Sequence, residues 1–181
     1  MKVRVISGTY GGRIIDGSGT ERTHPMGERI RNAMFNIVGD EIKGARVLDA
    51  FSGSGAVGIE AVSRGASTSL LIERDRIAQK IIVSNIELLG ASNQVSLVKT
   101  TVGNWLSTYT GERFDVIFAD PPYDDLQLST VFELTRLLKP NGLMVLSYVG
   151  RGDVPTANGV VVVDNRSYGT AALAFYRKKD A

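Results

Sequence analysis

Cysteine is missing from this chain of 181 residues. Its absence excludes disulfides, thiolate metal sites and covalent catalysis through a thiol. Histidine occurs once, as His24, which leaves neither a zinc cluster nor a Ser-His-Asp constellation to find. No stretch approaches the roughly 20 apolar residues that a membrane span needs, and the start, Met-Lys-Val-Arg-Val-Ile-Ser-Gly, lacks a signal-peptide core. The expectation is a cytosolic protein with no membrane partner and no metal. Charge of one sign is also lacking: Lys and Arg outnumber Asp and Glu by only 21 to 19, so net charge speaks neither for nor against nucleic acid. Internal repeats and low-complexity linkers are absent too.

What is present suffices for one domain with a small appendage. Hydrophobic residues make up 43% of the chain, enough for a buried core. Residues 3–6 and 13–15 are β-branched runs around Ser-Gly-Thr-Tyr-Gly-Gly and predict a hairpin too small to fold alone. Residues 16–27 read as a loop, so 1–27 form an appendage and 28–181 the main domain. Apolar spacing then predicts helices over 28–38, 56–64 (amphipathic), 75–89, 102–108 and 126–138. Strands are expected to end at 47–48 and to span 68–72, 94–98, 114–119 and 143–148, with an antiparallel pair at 160–163 and 171–176. This alternation implies an α/β fold, a mostly parallel Rossmann-like sheet of seven strands with an antiparallel last strand.

Ligands of such sheets gather at the carboxyl ends of the strands. At the first of these ends stands Asp49-Ala50-Phe51-Ser52-Gly53-Ser54-Gly55, which opens directly into a helix. Gly53 and Gly55 supply backbone freedom, and the helix start supplies amides. Gly53, Gly55 and Gly58 with Glu73 also fit a dinucleotide fingerprint, so a nicotinamide cofactor is a rival. Against it, four residues separate the strand from the first glycine, and Asp49 would repel a pyrophosphate. A cationic, phosphate-free cofactor such as S-adenosylmethionine suits the loop better; a turn that binds nothing is the bland alternative. Glu73 is placed for ribose hydroxyls with Arg74 beside it, and Phe51 and Val102, next to Thr101, for the two faces of an adenine.

Asp120-Pro121-Pro122-Tyr123 follows the apolar run 116–119 without a gap. Two prolines stiffen the loop and fix the directions of the Asp120 carboxylate and the Pro121 carbonyl. Two fixed acceptors match the two hydrogens of a base's amino group, and Tyr123 offers a face for stacking. Orientation of an in-line displacement would supply most of the rate, with Asp120 dispersing the developing proton. A structural Pro-Pro turn is the alternative.

The cofactor loop and 120–123 resemble class I amino-methyltransferases. Arg4-Val5-Ile6-Ser7-Gly8, Gly11-Gly12-Arg13, Arg29-Ile30-Arg31-Asn32-Ala33-Met34-Phe35-Asn36 and residues 58–66 narrow the resemblance to the RsmD family. That likeness spans nearly the whole chain. It implies methylation of guanine N2 in 16S ribosomal RNA of the small subunit or its assembly intermediate, with S-adenosylmethionine as cofactor. It carries Asp49, Phe51, Gly53, Gly55 and Glu73 over to the cofactor and 120–123 to the guanine. RNA contacts are expected from the basic N-terminal segment, at Arg4, Arg13, His24, Arg29 and Arg31. Two departures stand out: His24-Pro25-Met26 replaces the family's usual Arg-Pro-Thr, and Thr101 stands where an Asn or Asp commonly meets the adenine amino group. A DNA adenine-N6 methyltransferase and a non-catalytic RNA-binding assembly factor remain alternatives; no spare segment exists here for the target-recognition region that the former usually carries.

Overall fold

The computed structural model describes residues 1–18, 26–150 and 152–179. His24 and Pro25 lie outside them. The N-terminal strands β1 (Lys2–Arg4) and β2 (Ile14–Asp16) form an antiparallel hairpin. The main sheet has the order β5-β4-β3-β6-β7-β9-β8, from β3 (Arg46–Asp49), β4 (Thr68–Ile72), β5 (Val95–Val98), β6 (Phe114–Ala119), β7 (Leu138–Val149), β8 (Val160–Tyr168) and β9 (Ala171–Lys178). The first five of these run parallel, while β9 lies antiparallel between β7 and β8. Chain order reverses between β3 and β6, where a crevice opens at the strand ends.

Alternation along the strands fills two cores. Val47, Val116 and Phe118 face one side with α1 (Glu28–Val38), α2 (Ala56–Ser63), α3 (Arg76–Leu89) and the hairpin's Val3 and Ile15. Leu48, Ile117 and Ala119 face the other, with α4 (Val102–Thr108) and α5 (Leu128–Glu133).

The hairpin is fastened to α2 by polar groups as well as by packing. Glu60, fully buried, accepts from the amides of Ile6 (2.8 Å) and Ser7 (3.1 Å) and from Arg64 Nε (2.9 Å). Ser63 Oγ accepts from Tyr10 N (2.8 Å) and donates to the Ser7 carbonyl (2.6 Å). Gly8 has φ of 87°, and a Cβ there would lie 1.8 Å from the Ser63 carbonyl oxygen. The two motifs that stood apart in the sequence, 4–13 and 58–66, are therefore the two sides of one joint. This cover also corrects the amphipathic reading of the second helix: every residue of α2 is buried, because the hairpin shields the flank that would otherwise meet water.

Beyond shifts of one or two residues at element ends, two regions differ from expectation. The helix predicted over 126–138 is α5 followed by a 3₁₀ turn, Leu134–Leu137, and β7 starts at Leu138, five residues early. Leu138 pairs with Phe114 but Leu143 with Val116, so Lys139, Pro140 and Asn141 bulge outward; Pro140 has no amide to pair and Asn141 adopts φ of 62°. At the other end β8 runs on through the polar residues 164–168. As an edge strand it keeps one side in water and needs no apolar run there.

Candidate active site

The ends of β3, β4, β5 and β6 form one rim around a cleft of about 1420 Å³. Gly53 and Pro121 both line it, so the two motifs share one cavity. The Ala50 amide donates to the Phe118 carbonyl (3.0 Å), which holds the loop after β3 against the end of β6.

Short bonds build the loop itself. Ser52 N donates to the Ile72 carbonyl (3.0 Å), Gly55 N to the Ser52 carbonyl (2.8 Å), and Ser52 Oγ to the Asp49 carbonyl (2.7 Å). Gly53 takes φ of 56° and Gly55 φ of 83°, a region costly for residues with a Cβ. A Cβ on Gly53 would meet no protein atom within 4 Å, whereas one on Gly58 would meet Leu71 Cδ1 at 2.5 Å. Gly53 thus keeps the cavity open, and Gly58 lets α2 lie close on β4. From behind, Asn85 Nδ2 supports the loop by donating to the Ser54 carbonyl (3.0 Å), while its Oδ1 accepts from Asp16 N (2.9 Å).

Glu73 lines the cavity at the tip of β4. Its Oε1 accepts from Gly53 N and its Oε2 from Asp75 N, both at 2.8 Å. Each oxygen retains a second lone pair for a ligand hydroxyl. Phe51, Arg74, Thr101 and Val102 also line the cavity. Thr101 Oγ1 is already engaged as the cap of α4, accepting from Asn104 N (3.1 Å).

Asp49 departs from its expected place. It is 2% exposed and stands behind the cavity wall, with Oδ2 accepting from Gly58 N (3.0 Å). Burial pushes its carboxyl up to about 7; the Gly58 amide counteracts this, while the charges of Asp120 and Glu73 add to it. Gly55 likewise shapes the loop from behind.

Asp120, Pro121, Pro122 and Tyr123 all line the cleft. Burial pushes the Asp120 carboxyl up to about 7, opposed by a hydrogen bond from Ser147. Ser147 is a residue that sequence reasoning missed. It projects from β7 at 2% exposure, and its hydroxyl lies 3.2 Å from that of Tyr123. The signal was there: Ser147 is a lone small hydroxyl in the apolar run Leu-Met-Val-Leu-Ser-Tyr-Val, and a buried hydroxyl needs a partner.

The expected RNA contacts divide sharply. Arg31 is not a surface residue at all: it is 2% exposed, its Nε lies 3.5 Å from Glu60 Oε1, and its Nη2 donates to the Arg4 carbonyl. A guanidinium committed to a buried carboxylate has no freedom to reach phosphate. Arg4 is exposed but ion-paired with Glu28. Arg13 donates to the Leu88 carbonyl (3.3 Å), and Arg29 is exposed without an ion pair among the described residues. His24 falls outside those residues. No described helix is long and apolar enough to cross a membrane.

Comparison with known proteins agrees with this architecture. The chain is 30% identical over 183 residues to the putative rRNA methyltransferase YlbH of Bacillus subtilis (strain 168), covering 98% of this chain and all of that one. It is 33% identical over 141 residues to ribosomal RNA small subunit methyltransferase D of Escherichia coli (strain K12), covering 78% of this chain and 69% of that protein. The solved structure of the putative methyltransferase yhhF from Escherichia coli superposes with a TM-score of 0.88 at 27% identity, over 99% of both chains. The fold is that of class I methyltransferases. A family model described as Conserved hypothetical protein 95 matches residues 3–177, and the chain belongs to that family, the RsmD family its motifs resemble.

Proposed function

We propose that this protein methylates the exocyclic N2 amino group of a guanine in 16S ribosomal RNA of the small subunit, in the cytoplasm, with S-adenosylmethionine as donor. The observation that carries the reading is the shared cleft, in which the glycine-rich loop and residues 120–123 face one volume. About 1420 Å³ exceeds the roughly 300–1,000 Å³ usual for one small ligand, leaving room for a cofactor and a base together. The names of the relatives support ribosomal RNA as substrate, and the choice of guanine N2 rests on the resemblance of the motifs.

The residues present fit the cofactor. Gly53 leaves open space where any side chain would project, Glu73 keeps acceptor capacity for ribose, and Phe51 and Val102 give apolar walls for adenine. Carboxylates near the cavity favour a cation over a pyrophosphate. When bound, S-adenosylmethionine supplies an electrophilic methyl on a sulfonium.

The protein's own groups address the amine. A base amine is a weak nucleophile because its lone pair is delocalised into the ring. Asp120 and the Pro121 carbonyl accept its two hydrogens, which favours a pyramidal nitrogen with its lone pair directed away from the loop. Asp120, with its carboxyl raised to about 7, takes up the developing proton at neutral pH. Tyr123 supplies a stacking face, with its hydroxyl secured to Ser147. A base in a helix must leave its stack to enter this pocket.

The test is to incubate the protein with labelled S-adenosylmethionine and small subunits from cells lacking it, then locate the label. Label on guanine N2 supports the reading. Label on adenine in a parallel incubation with DNA, or subunit binding without transfer, would replace it, and titration with NADH checks the nicotinamide rival.

A further inference from the structure

The described cations fall into two populations. Lys2, Arg4, Arg31, Lys43, Arg46, Arg64, Lys139, Arg166 and Arg177 each pair with a carboxylate. The others have no carboxylate partner among the described residues: Arg13, Arg29, Lys99, Arg113, Arg136, Lys178 and Lys179 are spread over the chain, whereas Arg74, Arg76 and Lys80 are exposed and clustered. Arg74 and Arg76 line the mouth of the cleft, and Lys80 follows one turn along α3.

Stability does not explain this arrangement. Arg76 opens α3, the end of a helix where a positive charge is unfavourable. Arg76 and Lys80 are four residues apart, so they repel across one turn. Glu87, the acidic residue on the same face, lies near the far end of the helix. A bound polyanion would relieve both penalties. Between the two cations Ile77 is 59% exposed and also lines the cleft, an apolar surface beside a charged one. That combination suits a nucleic acid strand, which presents phosphates and base faces together.

We infer that the β4–α3 side of the cleft, through Arg76 and Lys80 with Ile77 between them, is the surface that holds the RNA strand flanking the target nucleotide. The inference rests on the ribosomal RNA reading above and relocates the principal RNA contact. The N-terminal arginines first expected in that role are largely spent on Glu28, Glu60 and the Leu88 carbonyl.

The test compares Arg76→Gln/Lys80→Gln with Arg113→Gln/Lys179→Gln. The second pair removes the same charge from cations that have no ion pair among the described residues, at the opposite end of the sheet, before β6 and after β9. Binding to naked 16S ribosomal RNA and to small subunits is measured across a salt series, with S-adenosylmethionine affinity measured in parallel. Losing two phosphate contacts lowers the log–log salt slope by about 1.4. The expected result is that drop, with at least about tenfold weaker RNA binding at low salt, in the first pair only and with cofactor affinity preserved. Equal effects from both pairs, or an unchanged slope in the first, overturn the inference. Loss of subunit binding with naked RNA binding intact points to a ribosomal protein instead and also overturns it. If the wild-type protein transfers no methyl to RNA, the underlying reading fails as well, a result separable from the others.

Discussion

Replacing Asp49 by Asn should stabilise the protein progressively as pH rises between the ordinary carboxyl value of 3.8 and about 7. The folded state holds the Asp49 proton up to about 7, against an ordinary value of 3.8. A carboxyl raised on folding stabilises the native state below its unfolded pKa, and that stability is lost as pH rises through the folded value. Across this window the loss is about 4 kcal/mol, at about 1.4 kcal/mol for each pH unit. The substituted amide carries no charge and keeps an oxygen to accept from Gly58 N, but its amino group needs a partner in the same enclosure, at a cost of about 1 kcal/mol. The expected effect is therefore a gain of about 3 kcal/mol at pH 8 and a small loss, under about 1 kcal/mol, at pH 4. Urea titrations at both pH values report it through the fluorescence of Trp105, the single tryptophan, which is 6% exposed. Comparing the variant with the parent at each pH removes the part of the Asp120 titration that is independent of Asp49, and the coupled part shifts the same way. If the difference between the two proteins is the same at pH 4 and pH 8, Asp49 is not held protonated by burial and the account of this wall of the site is wrong.

Cofactor affinity should rise from pH 6 to pH 8, with protons released on binding, because a cation near Asp49 and Asp120 favours their ionised forms; calorimetry in two buffers of different ionisation enthalpy measures this, and proton uptake would contradict it. Asp120→Asn should lower kcat by roughly 10²–10⁴-fold while equilibrium dialysis shows the cofactor still bound, with a smaller rise in affinity between pH 6 and pH 8. Gly8→Ala should detach the N-terminal hairpin, since its Cβ would lie 1.8 Å from the Ser63 carbonyl oxygen. With left-handed strain and the bonds at Ser63 lost, the cost is about 3 kcal/mol. Hydrogen exchange at the amides of Ile6, Ser7, Thr9 and Tyr10 reads it directly.

The parts of the site that were legible in the sequence are those made by neighbours along the chain. The glycine-rich loop and 120–123 each carry their geometry locally, and alternation of elements brings their strand ends to one rim. What needed the third dimension was the fate of charges. Arg31 looked like a surface cation, yet it lies three residues before Met34 and seven before Val38, on the buried stripe of α1. Glu60, a lone acid within Ala-Val-Gly-Ile-Glu-Ala-Val, was the matching sign of a buried pair. Neither is decisive alone, because pairing across 29 residues depends on how α1 and α2 meet. The continuation of β8 through Asp164–Tyr168 was hidden for a different reason: an edge strand obeys ladder geometry without needing apolar side chains.

The joint between the N-terminal segment and α2 also bears on how the chain is made. Translation delivers residues 1–16 before the groups that fasten them: Ser63 is 53 positions beyond Tyr10, Glu60 is 54 beyond Ile6, and Asn85 is 69 beyond Asp16. That segment must therefore wait, unfastened, until α2 and α3 have emerged.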